Sequence, residues 1–358
     1  MEELTNLRNN IDEIDSEILK LLNQRAEIVL KVAETKRSQN INYFIPEREL
    51  EILTRLKAKN IGPFPNDMLE AIFKEIFCAS LSLEQPNVRR VSYFGPAATF
   101  THQAAIRHFG SICKFFPMDN IGKVFRNVEL GESDYGVVPI ENSNEGIVNY
   151  TLDMFLDSDL KIYSEIMLKI SHNLLSKEDD ISKIKKIYSH PQPIAQCRLW
   201  LENNMLGVQI YESASTAAAA ALAKEEDGTA AIASELAAKI YNLNFLERHI
   251  EDNKNNVTRF LVISKNSYGR TGSDKTSIMF SAKDIPGSLH EILTPFKKSR
   301  LNLTRIESRP TKKKAWDYVF FVDIAGHIED KKVKKAIADV EKRCVFLKVL
   351  GSYPLVDF

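Results

Sequence analysis

Arg25 and Lys36 are the first residues with chemistry to offer. Leu4, Leu7, Ile11, Ile14, Ile18, Leu21, Ile28 and Val32 recur at alternating steps of three and four, which puts them on one stripe of a long helix, expected to be buried. Arg25 stands where that seam should continue. A guanidinium cannot shed its charge and is costly to bury alone, so the position calls for an anion. Lys36 lies eleven residues on and returns to within about 20° of the same face. Two cations on one apolar face imply an anion pocket inside a helical bundle. Arg8 lies about 100° around the helix from Arg25, so it misses that pocket in its own chain and could enter the site of an intertwined partner.

Further along, Ser80 and Glu84 sit four apart on an apolar helix face where packing alone would want leucines. Arg48 and Glu49 open another helix and are equally readable as solvated charges. Polar loops then supply hydroxyls, amides and charges: Thr99, Glu141-Asn142-Ser143, Ser189-His190-Pro191-Gln192, Ser215-Thr216 and Thr258-Arg259-Phe260. Singly, each is an ordinary N-cap or turn. Near the end, Gly287-Ser288-Leu289 reads as a helix start and Glu307-Ser308-Arg309-Pro310 as a strand end.

Three kinds of sequence position these groups. Residues 1–87 read as helix, with Pro46 opening a second helix and Asn66 or Asp67 a third that buries Leu69, Phe73, Ile76 and Phe77. So long a first helix cannot cover its own seam, which predicts two intertwined copies. Residues 88–266 alternate strand, polar loop and helix, which predicts parallel α/β sheets with ligands at the strand carboxyl ends. After a polar linker, residues 275–354 read strand, helix, strand, strand, helix, strand, the ferredoxin-like βαββαβ order.

Composition narrows the class. The 358 residues suffice for two or three domains, and 48 basic residues cancel 48 acidic ones, so no global field suggests nucleic acid or an anionic membrane. No apolar run is long enough to span a bilayer, and Met1-Glu2-Glu3 does not read as a signal peptide. The four cysteines have no framework spacing and the seven histidines no ligand pairing, which predicts a cytoplasmic protein without a bound metal.

Leu7-Arg8, Ile11-Asp12, Gln24-Arg25, Lys36, Pro46-Glu47-Arg48-Glu49 and the Ser80…Glu84 pair resemble an all-helical chorismate mutase. That family rearranges a dicarboxylate without nucleophile or metal, by conformational restraint and charge stabilisation. The resemblance implies that Arg8 of a partner chain, Arg25 and Arg48 handle carboxylates, that Lys36 approaches the ether oxygen, and that Glu49 meets the ring hydroxyl. Ile45 replaces an aspartate found in some members, and Glu84 stands where others have glutamine. A carboxylate at that point repels negative charge, so Glu84 must carry a proton to donate, and mutase activity should fall as pH rises.

Val138-Pro139-Ile140-Glu141-Asn142-Ser143-Asn144-Glu145-Gly146, Ser189-His190-Pro191-Gln192-Pro193 and Asn255-Asn256-Val257-Thr258-Arg259-Phe260 resemble prephenate dehydratase. The resemblance implies a two-lobed fold like that of periplasmic binding proteins, with the site between the lobes and no cofactor. Prephenate loses carbon dioxide and hydroxide together, so the site must anchor carboxylates and protonate a leaving hydroxyl. Thr258 is the implied hydroxyl, with a relayed proton from Glu141 or His190 as a further option, and Arg259 suits an anion. Ala98 stands where the family has glycine, at a cost of about 1 kcal/mol or more if φ is positive there.

Residues 276–354 resemble an ACT regulatory domain, carried by Glu307-Ser308-Arg309-Pro310 and more weakly by Gly287-Ser288-Leu289, with serine where alanine is commoner. The resemblance implies phenylalanine bound by Gly287, Ser288, Leu289, Asn302, Glu307, Ser308, Arg309 and Pro310 at a subunit interface. Together these resemblances imply a cytoplasmic homodimer or higher homo-oligomer that turns chorismate into prephenate and prephenate into phenylpyruvate, inhibited by phenylalanine. An arogenate-using dehydratase is one alternative. A phenylalanine-sensing protein on decayed enzyme domains is another, and it would require losses at Arg25, Lys36 or Thr258 that are not seen.

Overall fold

The computed structural model describes residues 2–38, 46–84, 88–283, 285–310 and 318–356; Ile45 lies outside them. The chain divides into a helical unit running to Arg89, which also takes in Phe109–Lys114, and a second unit holding the rest.

The helical unit is built from α1 (Glu2–Ser38), α2 (Pro46–Lys59) and α3 (Asn66–Glu84). At 1.5 Å per residue, α1 is about 55 Å long. Only its C-terminal half is covered, where Ala33 is buried and Arg25 and Lys36 are half-buried. The apolar seam departs from the expected burial. Its eight residues from Leu4 to Val32 are 40% to 63% exposed; the six from Leu4 to Leu21 lie along the N-terminal stretch that the shorter α2 and α3 do not cover. On α3, Phe77, Cys78, Ser80 and Glu84 are buried, while Leu69, Phe73 and Ile76 are half-covered. Cys78 and Cys113, unremarkable in the sequence, meet with their Sγ atoms 3.6 Å apart.

Glu70 ties α2 to α3. It accepts from Lys57 of α2 and from Lys74 of its own helix, 2.8 Å away. Burial pushes its carboxyl up, but the two ammonium groups outweigh that and hold it down at about 2. A carboxylate depressed on folding stabilises the fold above its unfolded value, near 4.3, and loses that contribution as pH falls toward 2. Glu70→Gln should therefore cost this unit about 1 kcal/mol at pH 7. Thermal melts of mutant and wild type should converge as the pH is lowered through that window.

The second unit opens with β1 (Arg90–Phe94), α4 (Phe100–Phe109), β2 (Lys114–Met118), α5 (Ile121–Glu129), β3 (Tyr135–Asn142), β4 (Gly146–Ile147), α6 (Asn149–Asp157) and β5 (Lys161–Lys169). The chain then crosses to β6 (Asn173–Ser176), β7 (Lys186–Ser189), α7 (Pro191–Gln196), α8 (Arg198–Asn204), β8 (Gln209–Glu212), α9 (Thr216–Glu225), β9 (Thr229–Ala233), α10 (Glu235–Tyr241) and β10 (Asn244–Glu247). It returns as β11 (Val257–Ser264). Two sheets result, ordered β2-β1-β3-β11-β5 with β4 on β3, and β10-β6-β9-β7-β8. Two crossings between them make two lobes. The alanines of α9 lie against the alanines of β9, so small side chains on both surfaces let helix and sheet approach closely.

The sheets are mixed, where the sequence predicts parallel ones. β1 with β3, and β7 with β8 and β9, are parallel as expected. β11 comes back from the second lobe and inserts antiparallel between β3 and β5. In the second lobe, β6 and β10 form an antiparallel edge.

The C-terminal domain consists of β12 (Asp274–Ser281), α11 (Ser288–Lys298), β13 (Leu303–Pro310), β14 (Tyr318–Ala325), α12 (Lys331–Glu341) and β15 (Phe346–Pro354). Its antiparallel sheet runs β13-β14-β12-β15, the ferredoxin-like order that the sequence predicts. One face buries Ile278, Phe280, Val322 and Ile324 under the two helices. The other carries Met279, Phe321, Leu350 and Tyr353 into a core shared with α5, α6, β3 and β11. Among the described residues no helix is long and apolar enough to cross a membrane.

Candidate active sites

The helical unit holds a cavity of about 200 Å³ lined by Arg25, Lys36, Arg48, Glu49, Ser80 and Glu84, closed by apolar groups such as Val29, Val32 and Phe77. The helical repeat predicts this meeting of Arg25 and Lys36. Arg25 donates to Ser80 Oγ, and its guanidinium carbon sits 5.6 Å from the Phe77 ring centre. Burial lowers the Arg25 guanidinium below its ordinary value, against the opposing pull of Glu84 and Glu49. Burial also raises the Glu49 carboxyl above the usual range, although Arg89 lies 3.5 Å away. Lys36 Nζ and Glu84 Oε2 form an ion pair of 3.1 Å. Arg48 is more exposed and pairs with Glu51 at 2.6 Å. Arg8 is exposed and does not line the cavity. Seventeen residues separate it from Arg25, about 26 Å along the axis.

In the second unit, β3 and β11 bring Asn142, Ser143 and Thr258 together. Asn142 Oδ1 accepts the backbone N–H groups of Asn144 (2.9 Å) and Glu145 (3.1 Å). That fixes its amide nitrogen toward Thr258 Oγ1 at 2.7 Å and Asn256 Oδ1 at 2.8 Å. A hydroxyl oxygen that accepts from Asn142 has its own hydrogen left to donate. Ser143 Oγ locks the approach, accepting from Val257 N–H and donating to the Asn255 carbonyl. Asn256, 1% exposed, passes the network to Gln196 Oε1 at 3.1 Å, and Gln196 donates to Glu145 at 3.3 Å. Sequence reasoning missed Asn256 and Gln196. The first stands two residues before Thr258 and the second four after Gln192, so both lie inside or beside the motifs already singled out.

The other expected residues line strand ends in capping or packing roles. Thr99 Oγ1 accepts from His102 N–H at the start of α4. Ser189 Oγ is fully buried and donates to the Ile232 carbonyl. His190 Nδ1 accepts from Gln192 N–H at the start of α7, and Ser215 Oγ from Ala218 N–H at the start of α9. Thr216 is buried in that first turn, and Phe260 is buried in the sheet. Ala98 takes φ of +70°, so the left-handed geometry usually served by glycine is kept here with an alanine. Its carbonyl accepts from Ser234 Oγ at 2.9 Å and its methyl packs among the alanines of α9 and β9, which brings the β1–α4 loop onto the second lobe.

Two expected ligands face elsewhere. Arg259 is 8% exposed, and its guanidinium pairs with Glu165 and Asp323 at 2.8 Å each. Glu141 pairs with Arg305 at 3.3 Å. Neither points at Thr258, because adjacent residues of a strand project from opposite faces.

In the C-terminal domain, Gly287 (φ +82°) precedes Ser288 and Leu289 at the start of α11, at the same sheet end as Glu307, Ser308 and Pro310. Arg309 is paired with Asp153 of α6 at 2.9 Å. Asn302 stands at the opposite end of β13, at strand rise about 17 Å from Glu307 and about 26 Å from Pro310, so one chain does not bring it to the others.

Comparison with known proteins agrees with this division. Residues 7–85 match the chorismate mutase type II family, 91–268 the prephenate dehydratase family and 276–342 the ACT domain. A bifunctional chorismate mutase/prephenate dehydratase of Aquifex aeolicus is 52% identical over 358 residues, spanning 99% of this chain and 98% of that one. The chain belongs to the bifunctional chorismate mutase/prephenate dehydratase family. Within that family's order of parts, the Arg25–Lys36 cavity falls in the mutase segment and the Asn142–Thr258 pair in the dehydratase segment. A prephenate dehydratase of Methanocaldococcus jannaschii is 38% identical over 274 residues, which cover 75% of this chain and 99% of that one. The crystal structure of prephenate dehydratase from Arthrobacter aurescens in complex with L-Phe superposes with a TM-score of 0.69 at 36% identity, over 74% of this chain and 90% of that one.

Proposed function

We propose that the helical cavity converts chorismate to prephenate, that the Thr258 site converts prephenate to phenylpyruvate, and that phenylalanine inhibits the second step from the C-terminal domain. The observation that carries this reading is that a cationic helical cavity and an oriented Thr258 hydroxyl occur on one chain that is similar to bifunctional relatives over its full length. In the cavity, Arg25 and Arg48 hold carboxylates, and Lys36 turns from Glu84 to the ether oxygen as negative charge develops there. At Thr258, the hydroxyl oriented by Asn142 donates a hydrogen bond to the departing hydroxide, which takes up a proton from solvent and leaves as water, while carbon dioxide leaves and the ring aromatises. Glu141 faces the far side of the sheet, so it does not relay that proton. With Arg259 turned away as well, helix N-termini at the strand ends take over the carboxylates.

The active form is a cytoplasmic homodimer. Covering the eight exposed seam residues of each copy at on the order of 1 kcal/mol apiece offsets the cost of association. It also brings Arg8 of one copy to the cavity of the other. Phenylalanine engages Gly287–Leu289 and Glu307–Pro310.

The decisive experiment supplies chorismate and follows phenylpyruvate absorbance, then repeats with arogenate and looks for phenylalanine. Phenylpyruvate from chorismate, suppressed by added phenylalanine, is expected; absence of turnover from both substrates would refute the reading. Glu84→Gln gives a narrower check. Glutamine offers the ether oxygen an amide donor at every pH, so the mutant's mutase pH–rate profile should be flatter than that of wild type. Superimposable pH–rate profiles would remove Glu84 from that role.

A further inference from the structure

Thr258 and Arg259 are neighbours on β11, and their cross-strand partners on β3 are Asn142 and Glu141. The pleat sends Thr258 and Asn142 to one face, where they bond, and Arg259 and Glu141 to the other. That other face is covered by the C-terminal sheet, where Leu261 and Ile263 of β11 pack with Met279, Phe321 and Tyr353. Both charges on it are claimed by that domain. Arg259 donates Nε to Glu165 and Nη2 to Asp323 and, at 3.1 Å, to Tyr353 Oη. Lys275 reaches the same Glu165 oxygen at 2.7 Å, and Arg305 holds Glu141.

Two cations and two carboxylates are buried here in a balanced set, which is tolerable only while every member keeps its partner. Burial pushes the Asp323 carboxyl up, but Arg259, Ser277, Lys275 and Arg305 outweigh it and hold it below the usual carboxylate range. The planar fork of Arg259 spans two carboxylates in one geometry, which a point charge cannot do.

We propose that Arg259 is a positioning residue of the dehydratase, and that through it and Glu141 the C-terminal domain sets where the Thr258 hydroxyl and the Asn142 amide stand. This rests on the assignment of dehydration to Thr258. A shift of β13 or β14 moves Arg305 or Asp323, and each motion arrives one residue from the reacting group. The coupling needs no contact between effector and substrate.

The test uses the full chain. Arg259→Lys keeps the charge and loses the fork, so dehydratase kcat should fall at least tenfold with KM within twofold, while mutase kcat stays level. A raised KM with unchanged kcat would place the guanidinium on substrate and overturn the proposal. Arg305→Gln removes the Glu141 ion pair and leaves the direct partners of Arg259 in place, which provides a milder variant should the first not fold. In either variant, backbone amides 257–260 should exchange at least fivefold faster than in wild type; unaltered exchange in both overturns the proposal. Exchange needs no substrate. A wild type that fails to turn over prephenate would therefore refute the dehydratase assignment, while the exchange result still decides the role of the cluster.

Discussion

Thr258→Val should lower dehydratase kcat by at least a hundredfold and leave the mutase rate of the same chain within twofold. Valine matches the shape of threonine and lacks only the hydroxyl, so the change isolates the donor to the leaving group. Removing one oriented donor to developing charge costs about 3–4 kcal/mol in comparable sites, which corresponds to the predicted loss. The structural penalty is smaller. Asn142 keeps Asn256 as an acceptor, so the lost bond destabilises the fold by about 1 kcal/mol. The checks are steady-state kinetics on prephenate and on chorismate with the same preparation. A dehydratase kcat within threefold of wild type would exclude the hydroxyl from the chemistry.

The second large effect is expected at the other site. Lys36→Met should lower mutase kcat by about a thousandfold, because a pericyclic reaction offers the enzyme little to act on besides conformation and the charge developing at the ether oxygen. Methionine keeps an apolar stem against the cavity wall. The mutant also leaves Glu84 without its 3.1 Å partner, so restoring neutrality with Lys36→Met/Glu84→Gln separates two causes. If the loss came from a stranded carboxylate, the double mutant would recover. If it came from the missing ammonium, it would not, and that is the expected result. Dehydratase turnover serves as the internal control, and a Lys36→Met mutase rate within tenfold of wild type would sink the assignment.

The reach of the sequence varies with how local each feature is. The βαββαβ order of the C-terminal domain is readable because each element carries its own periodicity, and the observed elements follow that order. The Arg25–Lys36 cavity is readable for the same reason, since one helix supplies both cations. Antiparallel insertion of β11 between β3 and β5 is not readable, because the run from Phe260 to Ile263 is simply apolar and its partners are set by two crossings between lobes. The partners of Arg259 lie 94 and 64 residues away, beyond any local pattern. Part of that answer was nevertheless present. Thr258 and Arg259 are adjacent in a strand, so the pleat forbids both from facing one ligand, and strand alternation would have divided the motif in advance.

The bare stripe on α1 bears on supply and demand along the reaction sequence. If a second copy furnishes Arg8 as proposed, mutase output depends on encounters between chains, whereas Asn142 and Thr258 of the proposed dehydratase site meet within one chain. Dilution below the dimer's dissociation constant would therefore starve the second reaction of its substrate before the second catalyst itself was impaired. The ratio of prephenate made to prephenate consumed then reports how crowded the chains are, and abundance alone would govern which of the two steps sets the flux.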